Sequence, residues 1–217
     1  SGKPPVDVIV HRSYNPEGIT SHNTVPGLLA IILTMTMVMQ TAMTVTREVE
    51  QGTMENLLAT PLRPFEVMIG KIVPNLIIGT VQMVIVLIFA ALIFEVPFAG
   101  SVTLLAFVTV LFMAVNLAVG FTFSTVSTSQ VQAMQLSFFF MLPSILLSGF
   151  AFPYRGMPQP VQIAAEILPA THYLRLVRGI MLKGWDWTLA LQPSIVLLVM
   201  LFVLGFVAVR RYQDTIA

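Results

Sequence analysis

The chain of 217 residues is predicted to be an all-α membrane protein, and three observations predict it. Hydrophobic residues make up 56% of it and charged residues 10%, where a soluble domain carries roughly 25% charge. Five stretches, roughly 25–45, 72–94, 102–124, 131–152 and 189–209, carry no charge inside them. Each has the about 20 apolar residues that crossing a bilayer takes. The charged residues gather in the connections instead. Lipid cannot satisfy an open backbone, so each stretch is expected to be a helix.

Taken in order, residues 1–23 are polar and turn-rich, with Pro4-Pro5 and Asn15-Pro16. They read as the end of an extracytoplasmic domain, with a transmembrane domain over 24–217. The chain opens Ser1-Gly2 and reads as the C-terminal part of something longer. In the second span Pro74 is expected in the first turn, where proline is tolerated. Pro143 lies mid-span and is expected to kink the fourth helix. Residues 95–101 read as a tight turn, and 125–130 as a short uncharged link. The connection 153–188 is long, charged and broken by Pro153, Pro158, Pro160 and Pro169. Short helices are expected over 163–168 and 172–182. The second sets Leu174, Val177 and Met181 at helical spacing beside Arg175 and Arg178, which fits a re-entrant or interfacial element. Trp185 and Trp187, with Tyr154 and Tyr173, read as an aromatic belt.

Several chemistries are disfavoured. There is no cysteine, so disulfides and thiolate metal sites are excluded. A net charge of +1 does not suit nucleic-acid binding. His11, His22 and His172 show no metal-ligand spacing, and His172 reads as interfacial. The sequence has no G-x-x-x-x-G-K-[ST] phosphate loop. The spans lack the ionisable residues that proton relays and ion-coupled carriers use. They also lack the clustered His, Asp, Glu or Ser of a membrane-embedded enzyme. Charge does not fix orientation: Arg47, Lys71, Arg210 and Arg211 flank spans on one side, whereas Arg155, Arg175, Arg178 and Lys183 fall on the other.

Two features remain. The first span carries a polar stripe of Thr36, Gln40 and Thr44 beside Met35, Met39 and Met43. Methionine surfaces adapt to varied apolar ligands, so a substrate path is one reading and ordinary helix packing the other. Asn75, Gln82, Asn116, Gln132 and Gln135 carry the same two readings. The second feature is the loop 47–71, REVEQGTMENLLATPLRPFEVMIGK. Gly52-Thr53 offers a cap with Glu55 in the first turn, and Thr60-Pro61 ends the short helix. Pro64 then starts another, with Glu66 in its first turn. Met54, Leu57 and Leu58 give the short helix an apolar face. It reads either as a docking element or as a solvated loop.

The run Glu50, Gly52, Thr53, Met54, Glu55, Leu57, Leu58, Thr60, Pro61, Glu66, Gly70, Lys71 resembles the loop after the second span of ATP-binding-cassette (ABC) type-2 permeases. Further matches are Pro143, Leu147-Ser148-Gly149, Pro153 and Pro158, then Leu168-Pro169-Ala170-Thr171 with Arg175, Arg178 and Gly179. The resemblance implies a six-span half-transporter of which five spans are visible. It makes Glu50 to Pro61 the coupling helix that sits in a groove of a separate ATPase subunit, which would hold the ATP and Mg. It makes 153–188, with Ser148, Gly149, Pro153, Pro169, Thr171 and Arg178, an outer gate segment. The implied function is the permease subunit of an ATP-driven exporter of amphiphilic or drug-like substrates in the bacterial inner membrane. Its implied partners are a second permease subunit, membrane lipids, and in the long-form subgroup a periplasmic adaptor and outer-membrane duct. An exporter of lipid or polysaccharide is the alternative within the family, and an ion-coupled secondary transporter the alternative outside it.

Overall fold

The computed structural model describes residues 20–52 and 64–216. Among them are seven α-helices and no strand: α1 (Thr20–Glu50), α2 (Pro64–Leu92), α3 (Val102–Val126), α4 (Gln130–Leu147), α5 (Gln159–Glu166), α6 (Pro169–Lys183) and α7 (Trp187–Ile216). A 3-10 turn, Tyr154–Gly156, precedes α5. α1, α2, α3, α4 and α7 are long and apolar enough to cross a membrane.

The ends of the helices follow local chemistry. Gly52 takes φ 67° just past α1, a left-handed stop that costs glycine little. Ser101 caps α3 by accepting from the Leu104 amide, and Ser129 caps α4 by accepting from Gln132 N. Gln132 Oε1 accepts in return from Thr128 N at 2.8 Å, close to a capping box.

Three boundaries differ from expectation. α2 starts at Pro64, as the loop predicted, but it is continuous with the span, so Pro74 lies in its interior rather than its first turn. α4 ends at Leu147, not at 152, because Gly149 turns the backbone to φ 91° while the sequence is still apolar. It continues past Pro143 for four residues. The outer helices cover 159–166 and 169–183, each opening at or beside a proline.

α1 and α3 form the centre. In its spanning window α3 is 67% buried and α1 50%, whereas α7 is only 11% buried. α1 packs on α2, α3, α4 and α6, and α3 on α1, α6 and α7. Two hydrogen bonds fix which loops share a side. Gln130 Nε2 donates to Glu50 Oε2 at 2.8 Å, joining the α3–α4 link to the end of α1. Ala99 N donates to the Met181 carbonyl at 2.9 Å, joining the α2–α3 turn to α6 on the opposite side.

α6 is not a surface element. Eleven of its fifteen residues are buried. Tyr173, expected in the aromatic belt, is fully buried, stacked on Phe112 with ring centroids 4.0 Å apart and hydrogen-bonded to Thr109 at 2.8 Å. His172, expected at the interface, is buried too. Trp187 does stay exposed, tilted on Phe107.

The α1–α3 contact depends on a missing side chain. A Cβ on Gly120 would stand 2.7 Å from the Val38 carbonyl oxygen and 2.8 Å from the Thr41 Cβ. Gly120→Val is expected to destabilise the fold by about 1–3 kcal/mol, the usual range for overpacking. The check is the thermal midpoint in detergent; an unchanged midpoint would mean the two helices separate freely.

Candidate functional site

The α1–α2 hairpin brackets the charged loop. Polar contacts run along its seam. Thr36 Oγ1 donates to Gln82 Oε1 at 2.9 Å, and Asn75 Nδ2 donates to Thr41 Oγ1 at 3.2 Å. Lys71 Nζ pairs with Glu48 at the loop end. In a low-dielectric interior such bonds fix one helix against another. Thr44 bonds back to the Gln40 carbonyl at 2.7 Å. Gln40 Oε1 is buried with no hydrogen-bond partner among the described residues. Of the loop residues, Glu50 and Gly52 are described; Thr53, Met54, Glu55, Leu57, Leu58, Thr60 and Pro61 lie outside the described residues.

On its other side α1 faces α4 across an apolar cavity of about 390 Å³. Met35 and Met39 line it from α1; Met134, Gln135, Ser137, Phe138, Phe139 and Met141 line it from α4. Thr36 points instead to α2, and Met43 is not in the lining. Thr36 and the pair Met35 and Met39 therefore face different neighbours. Of the α4 half of this cavity sequence reasoning singled out only Gln135, although Met134, Phe138 and Met141 fall at i, i+4 and i+7.

The outer segment closes over the far end of the bundle. Glu166, the last residue of α5, is its hub. Arg175 of α6 grips both carboxylate oxygens, with Nη1 to Oε2 at 3.0 Å. The Tyr154 hydroxyl donates to the same carboxylate, and the Arg175 guanidinium lies over the Tyr154 ring, 4.5 Å from its centroid. His172 Nε2 lies 2.8 Å from the Glu166 carbonyl oxygen. Thr171 Oγ1 donates to the Ala165 carbonyl at 2.6 Å. A second tie runs to α4: Arg178 Nη1 donates to the Gly149 carbonyl at 3.0 Å. Ser148 is buried beside it, Pro153 leads into the 3-10 turn, and Pro169 opens α6. The sequence reading included Arg178 but missed the hub, because Glu166 and Arg175 are nine residues apart across a proline.

Burial by itself raises the Glu166 pKa. The hydrogen bonds of Arg175 and Tyr154, with the charges of Arg175 and His172, overcome it and hold the carboxyl below its ordinary 4.5. The unfolded chain therefore takes up this proton first on acidification. The stabilisation is whole above pH 4.5 and is lost as pH falls from there through the folded value. Glu166→Gln is expected to lower the thermal midpoint at pH 7, with the gap to wild type shrinking below pH 4.5. A gap that stays constant down to the most acidic point would remove the hub's electrostatic role.

Among the described residues no group of three or more His, Cys, Asp or Glu is placed to hold a metal. Residues 1–210 match the family described as ABC-2 family transporter protein. The chain is 37% identical over 177 residues to the probable multidrug ABC transporter permease YbhR of Escherichia coli (strain K12), covering 82% of this chain and 48% of that protein. It is 33% identical over 183 residues to the probable multidrug ABC transporter permease YbhS of the same organism, covering 84% and 48%. Against the inner membrane transport permease YhhJ, also from that organism, identity is 30% over 193 residues, covering 88% and 52%. The chain spans about half the length of these relatives.

Proposed function

This chain belongs to the ABC-2 transporter family, and from that premise we propose that it is the membrane-spanning part of an ATP-driven exporter of amphiphilic or drug-like substrates. The motor is a separate ATPase subunit that binds ATP and Mg; this chain binds neither. The membrane is a bacterial inner membrane, as the name of YhhJ suggests for that relative. The permease pairs with a second copy or a close relative.

One observation carries the reading: α1 is shared by every part of the proposed path. It enters the charged loop at one end, joins α2 through the polar seam, walls the methionine cavity with α4, and packs on α6 beneath the outer segment. A push on the loop is therefore delivered to α1 and α2 together. Displacement of α1 changes the cavity it shares with α4. The turn just past α4 holds Gly149, whose carbonyl accepts from Arg178 of α6, so the same movement loads the outer segment. The cavity has few polar atoms to satisfy, and methionine and phenylalanine accept ligands of differing shape. Glu50 to Pro61 is the element on which the ATPase acts, as the motif in this loop suggests. The polar stripe of Thr36, Gln40 and Thr44 serves helix packing, leaving Met35 and Met39 to meet substrate.

Glu55→Arg tests the coupling. Transport is expected to be lost while expression and membrane insertion stay at wild-type levels, and the ATPase recovered with the protein is expected to be reduced or to lose its response to substrate. Wild-type transport in this variant would sink the coupling role. Recovery of no ATPase with the wild-type protein in mild detergent would sink the exporter reading.

A further inference from the structure

A second apolar groove lies along α3, between α2 and α7. α2 and α7 barely meet, and between them Ala114, Leu117, Ala118 and Phe121 of α3, one helical face at i, i+3, i+4 and i+7, form a closely packed floor in which only Ala114 is more than marginally accessible. The groove holds about 460 Å³. Its α7 wall includes Phe202, Gly205 and Phe206, and Ile72 closes it from α2. Nothing lies within 4 Å of where a Gly205 side chain would start, so the wall is recessed there.

The end of this groove nearest the α1–α2 loop is cationic. Arg210 lies over the Phe206 ring, 4.7 Å from its centroid, so a wall residue of the groove holds a guanidinium at its mouth. At the same level Val45, Phe121, Ala208, Ile72 and Val209 pack together, which brings the ends of α1, α2 and α7 side by side. The described side chains there include Arg47, Lys71, Arg210 and Arg211 against Glu48 and Glu50. Lys71 is already paired with Glu48, and Glu50 with Gln130.

We infer that this groove is a site for an anionic diacyl phospholipid, with one acyl chain lying along α3 between α2 and α7 and the phosphate at Arg210. The argument is charge complementarity combined with shape. A slot with a dry floor, open to the bilayer, takes a chain, and basic side chains at its headgroup level select an anionic head over a zwitterionic one. The inference stands apart from the transport reading. It needs no ATPase and uses none of the residues lining the methionine cavity.

The test is lipid retention. The protein is purified, exchanged into mixed micelles containing equal phosphatidylglycerol and phosphatidylcholine of the same acyl chains, and repurified; bound lipid per chain is then counted by mass spectrometry. Wild type is expected to retain phosphatidylglycerol over phosphatidylcholine by roughly fivefold, the factor one basic side chain contributes near an anionic headgroup. Arg210→Gln is expected to erase that preference while leaving total retention similar. Gly205→Phe is expected to fill the recess and reduce retention of both lipids, and Gly205→Leu, a smaller change, to reduce it in part; the elution profile of each variant reports folding. Equal retention of the two lipids by wild type overturns the site, whether a further helix or a second copy then covers the groove. A preference that survives Arg210→Gln, or retention unchanged in both folded Gly205 variants, overturns it as well.

Discussion

Helices in lipid gain nothing from hiding apolar surface, because the acyl chains around them are as apolar as they are. Association must come from close shape and from polar groups that have no better partner. Here that demand falls on the α1–α3 contact, where Gly120 lets one backbone approach the Val38 carbonyl of the other. Everything else is built against this pair. α2 is hung on α1 by hydroxyl and amide bonds, α7 lies along α3, and α6 fills the end of the bundle where α1 and α3 leave room.

The sparse chemistry of the spans is then intelligible. Many of the polar residues inside the membrane are satisfied within their own helices: Thr34, Thr46 and Thr109 bond back to carbonyls one turn earlier, and Asn116 bonds to the Phe112 carbonyl. The cavity between α1 and α4 is left to methionine and phenylalanine. A surface of this kind selects by volume and apolarity and makes few directional demands, which suits broad recognition.

The five long helices were legible because an apolar run of that length in a chain this poor in charge has one stable outcome. Their ends were less so. Apolar composition continues through 148–152, yet Gly149 stops α4; Pro64 was legible as a helix start, whereas the place of Pro74 inside that helix was not. Burial inside the outer segment was left open between a re-entrant and an interfacial element. The residues of α6 look amphipathic, with Arg175 and Arg178 among apolar neighbours, and that pattern fits a membrane surface as well as a slot in the bundle. Tertiary contacts decide between them, and Tyr173 stacked on Phe112 lies 61 positions from its partner. The α1 methionines were picked out, but a cavity needs two walls, and the α4 wall is a separate weak pattern far along the chain.

The burial of α6 carries a consequence for how the protein is made. Its neighbours include α1 and α3, which are synthesised before it, and α7, which is synthesised after it. The segment therefore leaves the ribosome with only part of its seat in existence. It stays short of its final contacts until α7 has been inserted and closes against it. Assembly of the outer end therefore waits on α7, and a chain cut before Trp187 lacks one wall of that seat however well its earlier spans are inserted.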